Sequence, residues 1–283
     1  MTQDIAAPPH GALEELLRHA LAEDLGRAGD LTSNATIPAD HHSTGRIVTR
    51  RAGRIAGVQQ ATQAFVLVDA GTTVDVRIAD GADAAAGDVL AVVTGKTRSL
   101  LTAERTCLNL LGHLCGVATA TAEMVGRIAG TNARIVDTRK TLPGLRALQK
   151  YAVRCGGGVN HRFGLDDAVL IKDNHIAAVG SVAGAVKVAK ASVGHMVKVE
   201  VEVDTLDQLG EALAAGVDAV LLDNMSPDQL AEAVRMVDGC CVTEASGGVT
   251  ADTVRAIAES GVDLISMGWL THSAPQLDIG FDL

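Results

Sequence analysis

Six apolar runs, each ending in polar residues, fill the second half of the chain and limit what it can fold into. They are ARIVDTRK (133–140), AVLIKDN (168–174), MVKVEVE (196–202), DAVLLDN (218–224), CCVTEAS (240–246) and VDLISMG (262–268). Near-continuous apolar strands of this kind belong to a parallel sheet covered on both faces. Helical stretches such as 205–215, 227–237 and 250–260 separate them, and the last four runs recur every 22 or so residues, the repeat of a compact βα unit. Six such units predict an irregular or incomplete (β/α) barrel, with a doubly wound open sheet as the alternative. No G-x-G-x-x-G follows the first run, which weakens a dinucleotide-binding version.

The first half has another texture. Residues 11–25 carry leucines at helical spacing, and 45–50, 53–58, 74–79 and 88–94 are short β-branched runs. Residues 59–69 are a candidate helix between them, and a long helical pattern spans about 100–124. The fold class expected is therefore α/β, with an N-terminal α+β sandwich domain followed by the barrel. The division predicted is 1–115 for the sandwich and 116–269 for the barrel, with the tail 270–283 packing on the sandwich. A chain of 283 residues has core enough for this without disulfides or metal.

Charge excludes one class of partner. The chain has 34 acidic against 24 basic residues, a net charge of −10, and only 2% aromatics. A duplex-binding protein presents a basic face, and a single-strand binder needs stacking rings. The five cysteines, Cys107, Cys115, Cys155, Cys240 and Cys241, form no C-x-x-C and read as reduced thiols of a cytoplasmic protein. Met1 to His10 has no apolar core of a signal peptide, and no run approaches the ~20 apolar residues of a membrane span.

In a (β/α) barrel the chemistry sits at the C-terminal strand ends. Here those ends carry Arg139 and Lys140, then Lys172, Glu202, Asp223, Glu244 and Gly268. Cations occupy the first two ends and acids the next three, so the pocket has a cationic and an anionic side. Residues 134–172 hold eight Lys/Arg against three Asp, a local balance of +5, with glycines at 156–158 and 164 and the pair His161-Arg162. Arginine forks and close backbone approach suit a small, highly anionic ligand. Ser246-Gly247-Gly248-Val249-Thr250, before a helix expected from about Ala251, suits a phosphate, and Gly268 completes that site. Glu202 and Asp223 suit ribose hydroxyls or a Mg²⁺ shared with a polyphosphate. Glu200 is expected to face away from Glu202, so that only one of them lines the pocket. His161 is a candidate anion ligand, and His272 lies near the same mouth. His19, His41, His42 and His113 are assigned surface or packing roles. No H-E-x-x-H spacing supports a transition-metal site.

These residues fall within longer motifs. TRKTLPGLR (138–146), GGGVNHRFGLDDAVLIKDNH (156–175), VEVE (199–202), LLDNM (221–225), EASGGVT (244–250) and GVDLISMGWLTHS (261–273) together resemble the quinolinate phosphoribosyltransferase (carboxylating nicotinate-nucleotide pyrophosphorylase) family. EDLGRAGDLTS (23–33) and LLTAERTCLNLLGHLCGVAT (100–119) extend the resemblance over nearly the whole chain. It implies a homodimer that converts quinolinate and phosphoribosyl pyrophosphate, with Mg²⁺, into nicotinate mononucleotide, pyrophosphate and CO₂. By motif, it implies quinolinate binding by Arg139, Lys140, His161, Arg162 and Lys172. Arg105 is implied to reach the partner subunit's site, Glu202 and Asp223 to serve the ribose side, and Ser246, Gly247, Gly248 and Gly268 to form phosphate loops. His272 lies in the matching THS segment. Lys140 and Lys172 are candidates for returning a proton to the ring. Two positions depart from the pattern: Cys115 stands where Ser is usual, and Trp269 where a small residue is usual. The alternatives weighed are a related phosphoribosyltransferase using another acid, a phosphate-ligand sensor on a barrel, and a barrel lyase or aldolase. The last needs a Schiff-base lysine in an apolar pocket, whereas Lys140 and Lys172 lie among cations.

Overall fold

A computed structural model describes residues 10–283. Met1–Pro9, which make up most of the segment expected to lack a signal-peptide core, lie outside the described residues. The chain divides into two compact units. One holds the described residues up to Ala122, Leu142–Gly157 and Leu270–Leu283; the other holds Glu123–Thr141 and Gly158–Trp269.

The first unit begins with helices α1 (His10–Leu25) and α2 (Leu31–Thr36). Asp30 caps α2, its Oδ1 accepting the Ser33 N–H at 2.9 Å. Strands β1 (His42–Thr49) and β2 (Gly53–Arg54), helix α3 (Val58–Val68), and strands β3 (Thr73–Val76), β4 (Asp83–Ala84) and β5 (Val89–Lys96) follow. The long helix α4 (Thr97–Arg127) comes next and ends inside the second unit. Beyond the second unit's strands, the tail returns as α11 (Trp269–His272) and β12 (Ile279–Asp282). A four-stranded sheet runs β12-β1-β5-β3, and β2 pairs with β4. β12 is antiparallel to β1, with Ile47 opposite Phe281. At Gly45 an added Cβ would lie 2.1 Å from the Phe281 ring, so the sheet accepts the tail only where β1 has no side chain.

Ile47, Ile55, Phe65, Leu90, Leu100, Leu111 and Leu114 are fully buried in this unit's core. Helix α5 (Arg146–Cys155) joins it through Leu148, Tyr151, Ala152 and Val153. That placement differs from the division at 115/116, which left 142–157 with the barrel. The reason is amphipathicity: α5 buries one apolar face here, and its buried Gln149 amide donates to the Thr271 carbonyl at 2.5 Å. His113 meets the same Gln149 at 2.8 Å, a packing role.

The second unit contains β6 (Arg134–Val136), β7 (Val169–Ile171), α6 (Asp173–Val179), α7 (Val182–Ser192), β8 (Val199–Val203) and α8 (Leu206–Ala214). It continues with β9 (Ala219–Asp223), α9 (Pro227–Val237), β10 (Val242–Ser246), α10 (Val254–Glu259) and β11 (Leu264–Ser266). Each of these strands lies within one of the six predicted runs, except that β8 extends one residue past its run to Val203. They form one six-stranded sheet in the order β6-β11-β10-β9-β8-β7, with all pairs parallel. A doubly wound sheet would reverse its order at a switch point. This sheet instead follows the chain around a ring from β7 to β11 and returns to β6. Among the described strands, β6 and β7 do not pair, and a single parallel bridge from Val136 to Val159 stands at that gap. The result is an incomplete barrel. Helix starts explain its regular repeat: Thr205 caps α8, while Ser226 and Gln229 form a capping box on α9 with Pro227 at its first turn.

Along β8, Val199, Val201 and Val203 are buried against the helical layer. The intervening Glu200 and Glu202 therefore share the other face, the barrel interior. This corrects the expectation that they point apart: residues two apart on a strand lie on one side.

Candidate active site

A cavity of about 370 Å³ opens at the C-terminal strand ends of the second unit. Its wall includes Arg139, Lys140, Arg162 and Lys172 on the cationic side, and Glu202, Asp223 and Glu244 on the other. His161 and Ser246 line it too. Nine residues from six separate chain segments meet here, all but His161 and Arg162 from the strand ends.

Two arginines define the cationic wall. The Nε atoms of Arg139 and Arg162 are both buried and meet no acceptor among the described residues. Burial and the nearby charge of Arg139 push the Arg162 guanidinium below its ordinary range. Arg162 is anchored by one hydrogen bond, from Nη1 to the Ala168 carbonyl at 2.8 Å. Two adjacent guanidinium groups with unmet donors fit a ligand that brings two negative charges.

Lys172 follows β7 and forms an ion pair with Glu202 across the mouth. Lys140 lies alongside Gly268, where an added Cβ would stand 2.9 Å from its Cδ. Asp223 ends β9 and accepts from the Asn224 amide at 2.6 Å. Asn224 holds a left-handed backbone, φ 55°, and its N–H donates to the Ser246 carbonyl at 2.9 Å.

The glycine loop follows Ser246. Gly247 has φ +94°, and an added Cβ would fall 2.2 Å from Asn224 Oδ1 and 2.8 Å from its backbone nitrogen. Gly248 is also left-handed at +56° but faces open space. Gly247→Ala is expected to displace this loop and weaken anion binding at it by roughly tenfold or more, while Gly248→Ala does less. Anion titration of both variants checks the order. The helix expected from Ala251 starts later: Thr250–Thr253 is a turn, held by Thr253 Oγ1 on the Thr250 N–H at 3.0 Å, and α10 has only six residues. The loop's own N–H groups, not a long helix start, are therefore what this segment offers an anion. Trp269 closes the loop from behind, its indole N–H donating to the Val249 carbonyl at 3.1 Å.

His161, the candidate anion ligand, lines the cavity with its ring nitrogens engaged by the protein. Its Nδ1 accepts the Arg162 N–H at 2.8 Å, and its Nε2 faces Glu200 Oε2 at 3.0 Å and Glu244 Oε2 at 3.7 Å. Both ring nitrogens turn toward protein groups. Glu244 is 1% exposed, and burial followed by the charge of Glu200 raises its carboxyl to about 7.

Arg105 and His272 do not line this cavity. Arg105 is solvent-facing on α4 of the first unit, 3.7 Å from Glu104, and borders a separate cavity of about 450 Å³ there. That cavity is larger, but no cluster of cations faces it. His272 ends α11, with Nδ1 2.6 Å from Ser273 Oγ. Of the basic segment, Arg146, Lys150 and Arg154 lie on α5 in the first unit, so the +5 balance is not one patch. Sequence reasoning missed Glu200 as an inward group, although its spacing from Glu202 carries that signal.

A parallel barrel with guanidinium groups and carboxylates opposed at its strand ends, and a glycine loop beside them, defines an enzyme class that handles small anionic, phosphate-bearing ligands. The family models for the N-terminal and C-terminal domains of quinolinate phosphoribosyl transferase match residues 30–115 and 117–282. The chain belongs to that family. It is 48% identical over 277 residues to the nicotinate-nucleotide pyrophosphorylase [carboxylating] of Mycobacterium leprae, covering 96% of this chain and 97% of that protein. It is 44% identical over 274 residues to the probable enzyme of the same name from Bacillus subtilis, covering 97% and 94%. Among solved structures, the nicotinate-nucleotide pyrophosphorylase from Francisella tularensis superposes with a TM-score of 0.94 at 39% identity, covering 100% and 99%.

Proposed function

We propose that this chain transfers the phosphoribosyl group of phosphoribosyl pyrophosphate to quinolinate, giving nicotinate mononucleotide, pyrophosphate and CO₂ in de novo NAD biosynthesis. The observation that carries this reading is the pair of buried, unmet guanidinium Nε donors of Arg139 and Arg162 in one pocket. Quinolinate is a dianion, and binding its carboxylates there holds its ring nitrogen toward the anomeric carbon of the donor. The nitrogen attacks that carbon, and the C–O bond to pyrophosphate breaks. Glu202 and Asp223 face the ribose, accept its hydroxyls and stabilise developing positive charge. The ring nitrogen becomes cationic and draws in the electron pair released when the adjacent carboxylate leaves as CO₂. Lys140 and Lys172 are the nearest ammonium groups to return a proton to that carbon.

Glu202 and Asp223 would hold a Mg²⁺ shared with the donor's pyrophosphate, and its charge would offset that of the leaving group. The hard carboxylate oxygens of Glu202 and Asp223 are the donor type Mg²⁺ prefers. The active form is a homodimer in which Arg105 serves the partner's pocket, consistent with its exposure on α4, outside the cavity of its own chain. A cytoplasmic setting fits free thiols at all five cysteines, and no helix among the described residues is long and apolar enough to cross a membrane.

The test measures pyrophosphate and CO₂ together. Both are expected in equal amounts, and only when quinolinate and phosphoribosyl pyrophosphate are present. Nicotinate used as efficiently as quinolinate would defeat the dianion reading. Binding of phosphoribosyl pyrophosphate without turnover of any pyridine acid would point to a sensor instead.

A further inference from the structure

The floor of the pocket holds a chain of hydrogen bonds that the reaction above does not use. The Arg162 N–H donates to His161 Nδ1, so that nitrogen carries the lone pair and the proton resides on Nε2. Nε2–H then donates to Glu200 Oε2 at 3.0 Å. The backbone on the other side is pinned as well: the His161 N–H donates to Asp137 Oδ1 at 2.9 Å, and Asn160 Nδ2 to Asp137 Oδ2 at 2.5 Å. These contacts fix residues 160–162 where β6 and β7 fail to pair.

We propose that Glu200 is a positioning residue for dianion binding: it fixes the His161 ring, which fixes the backbone of Arg162 and aims that guanidinium into the pocket. The assignment rests on the function proposed above. Glu244 is the second member of this floor. Its Oε1 is buried without a partner, and its Oε2 lies 3.7 Å from His161 Nε2. The groups around it are Glu200 on β8, His161 beside it, Asp137 at the end of β6, and the Ser266 hydroxyl on β11; β9 presents Leu221. Two carboxylates facing one neutral imidazole leave Glu244 as the group that holds a proton, in line with its raised titration. Keeping Glu244 neutral keeps the floor beneath the dianion at low charge.

Three readouts test this. Glu200→Ala is expected to raise the KM for quinolinate roughly 10- to 100-fold, while kcat and the KM for phosphoribosyl pyrophosphate change little. Glu200→Gln, whose amide oxygen still accepts from Nε2–H, is expected to recover most of that loss. Glu200→Met keeps the length without the acceptor and should repeat the defect if the alanine variant does not fold. In ¹⁵N-histidine spectra, assigned with His161→Asn, the wild-type His161 ring is expected in the Nε2–H form. Loss of that form in Glu200→Ala supports the proposal. The wild-type KM for quinolinate should also rise with pH through about 7, as Glu244 ionises, and Glu244→Gln should flatten that rise. An Nδ1–H ring in the wild type, equal KM changes for both substrates, or an unchanged pH slope in Glu244→Gln would each overturn it. A protein that does not turn over quinolinate overturns the reaction, and the ring spectrum alone then decides the role of Glu200.

Discussion

Replacing Arg162 by alanine is expected to lower kcat/KM for quinolinate by roughly two to three orders of magnitude. A buried, hydrogen-bonded charge pair is worth on the order of 2–5 kcal/mol when one partner is removed, and each 1.4 kcal/mol is about tenfold. Arg162 has the features that place it near the upper end. Its Nε is buried and unmet among the described residues, and its one anchor leaves the rest of the fork for ligand. Arg162→Lys should recover only part of the loss, because a point charge cannot replace a planar fork. The free protein should not suffer. Arg139 and Arg162 repel each other, and removing one relieves that repulsion, so the melting temperature is expected to stay level or rise slightly. Kinetics with each substrate varied in turn, beside a thermal melt, check both halves. A loss under threefold in kcat/KM would remove Arg162 from the dianion site.

Mixing two inactive variants is expected to restore activity from near zero. Arg105→Ala lacks the arginine proposed to cross the interface, and Lys172→Ala breaks the pair with Glu202 at the mouth. After subunit exchange, half of the dimers are hybrids, and each hybrid has one site with both residues. Random mixing therefore returns about a quarter of wild-type activity. The prediction separates two roles that equal losses in the single variants cannot. If Arg105 acted within its own chain, every hybrid site would lack one residue and no activity would return. Confirmed exchange with no recovery would sink the shared-site arrangement.

Much of the second unit was legible in the sequence, for a local reason. A strand buried on both faces must be apolar throughout, and it turns polar where it leaves the sheet. That rule found all six strands, and it placed Arg139, Lys140, Lys172, Glu202 and Asp223 at one end of them. The Gly247 turn was legible for the same reason, since a left-handed backbone calls for glycine. Helix α5 was not separated from the barrel. Its three basic residues read as part of an anion-binding run, and only packing showed Leu148, Tyr151 and Val153 in the other unit's core. The start of α10 was misplaced because Thr250 and Thr253 close a turn on each other where the pattern suggested a helix.

By itself the sequence determined which segments become strands, which residues stand at their ends, and the excess of cations on one side of the future pocket. These follow from rules acting over a few neighbouring residues: period two, apolar runs, caps and turns. Tertiary structure alone decided which of those charges meet. Arg139 and Arg162 become neighbours at the break between β6 and β7. Glu200 and Glu244, on different strands, converge on His161 because the sheet curves into a ring. Such contacts join residues tens of positions apart, and their energies depend on burial, which no local pattern records.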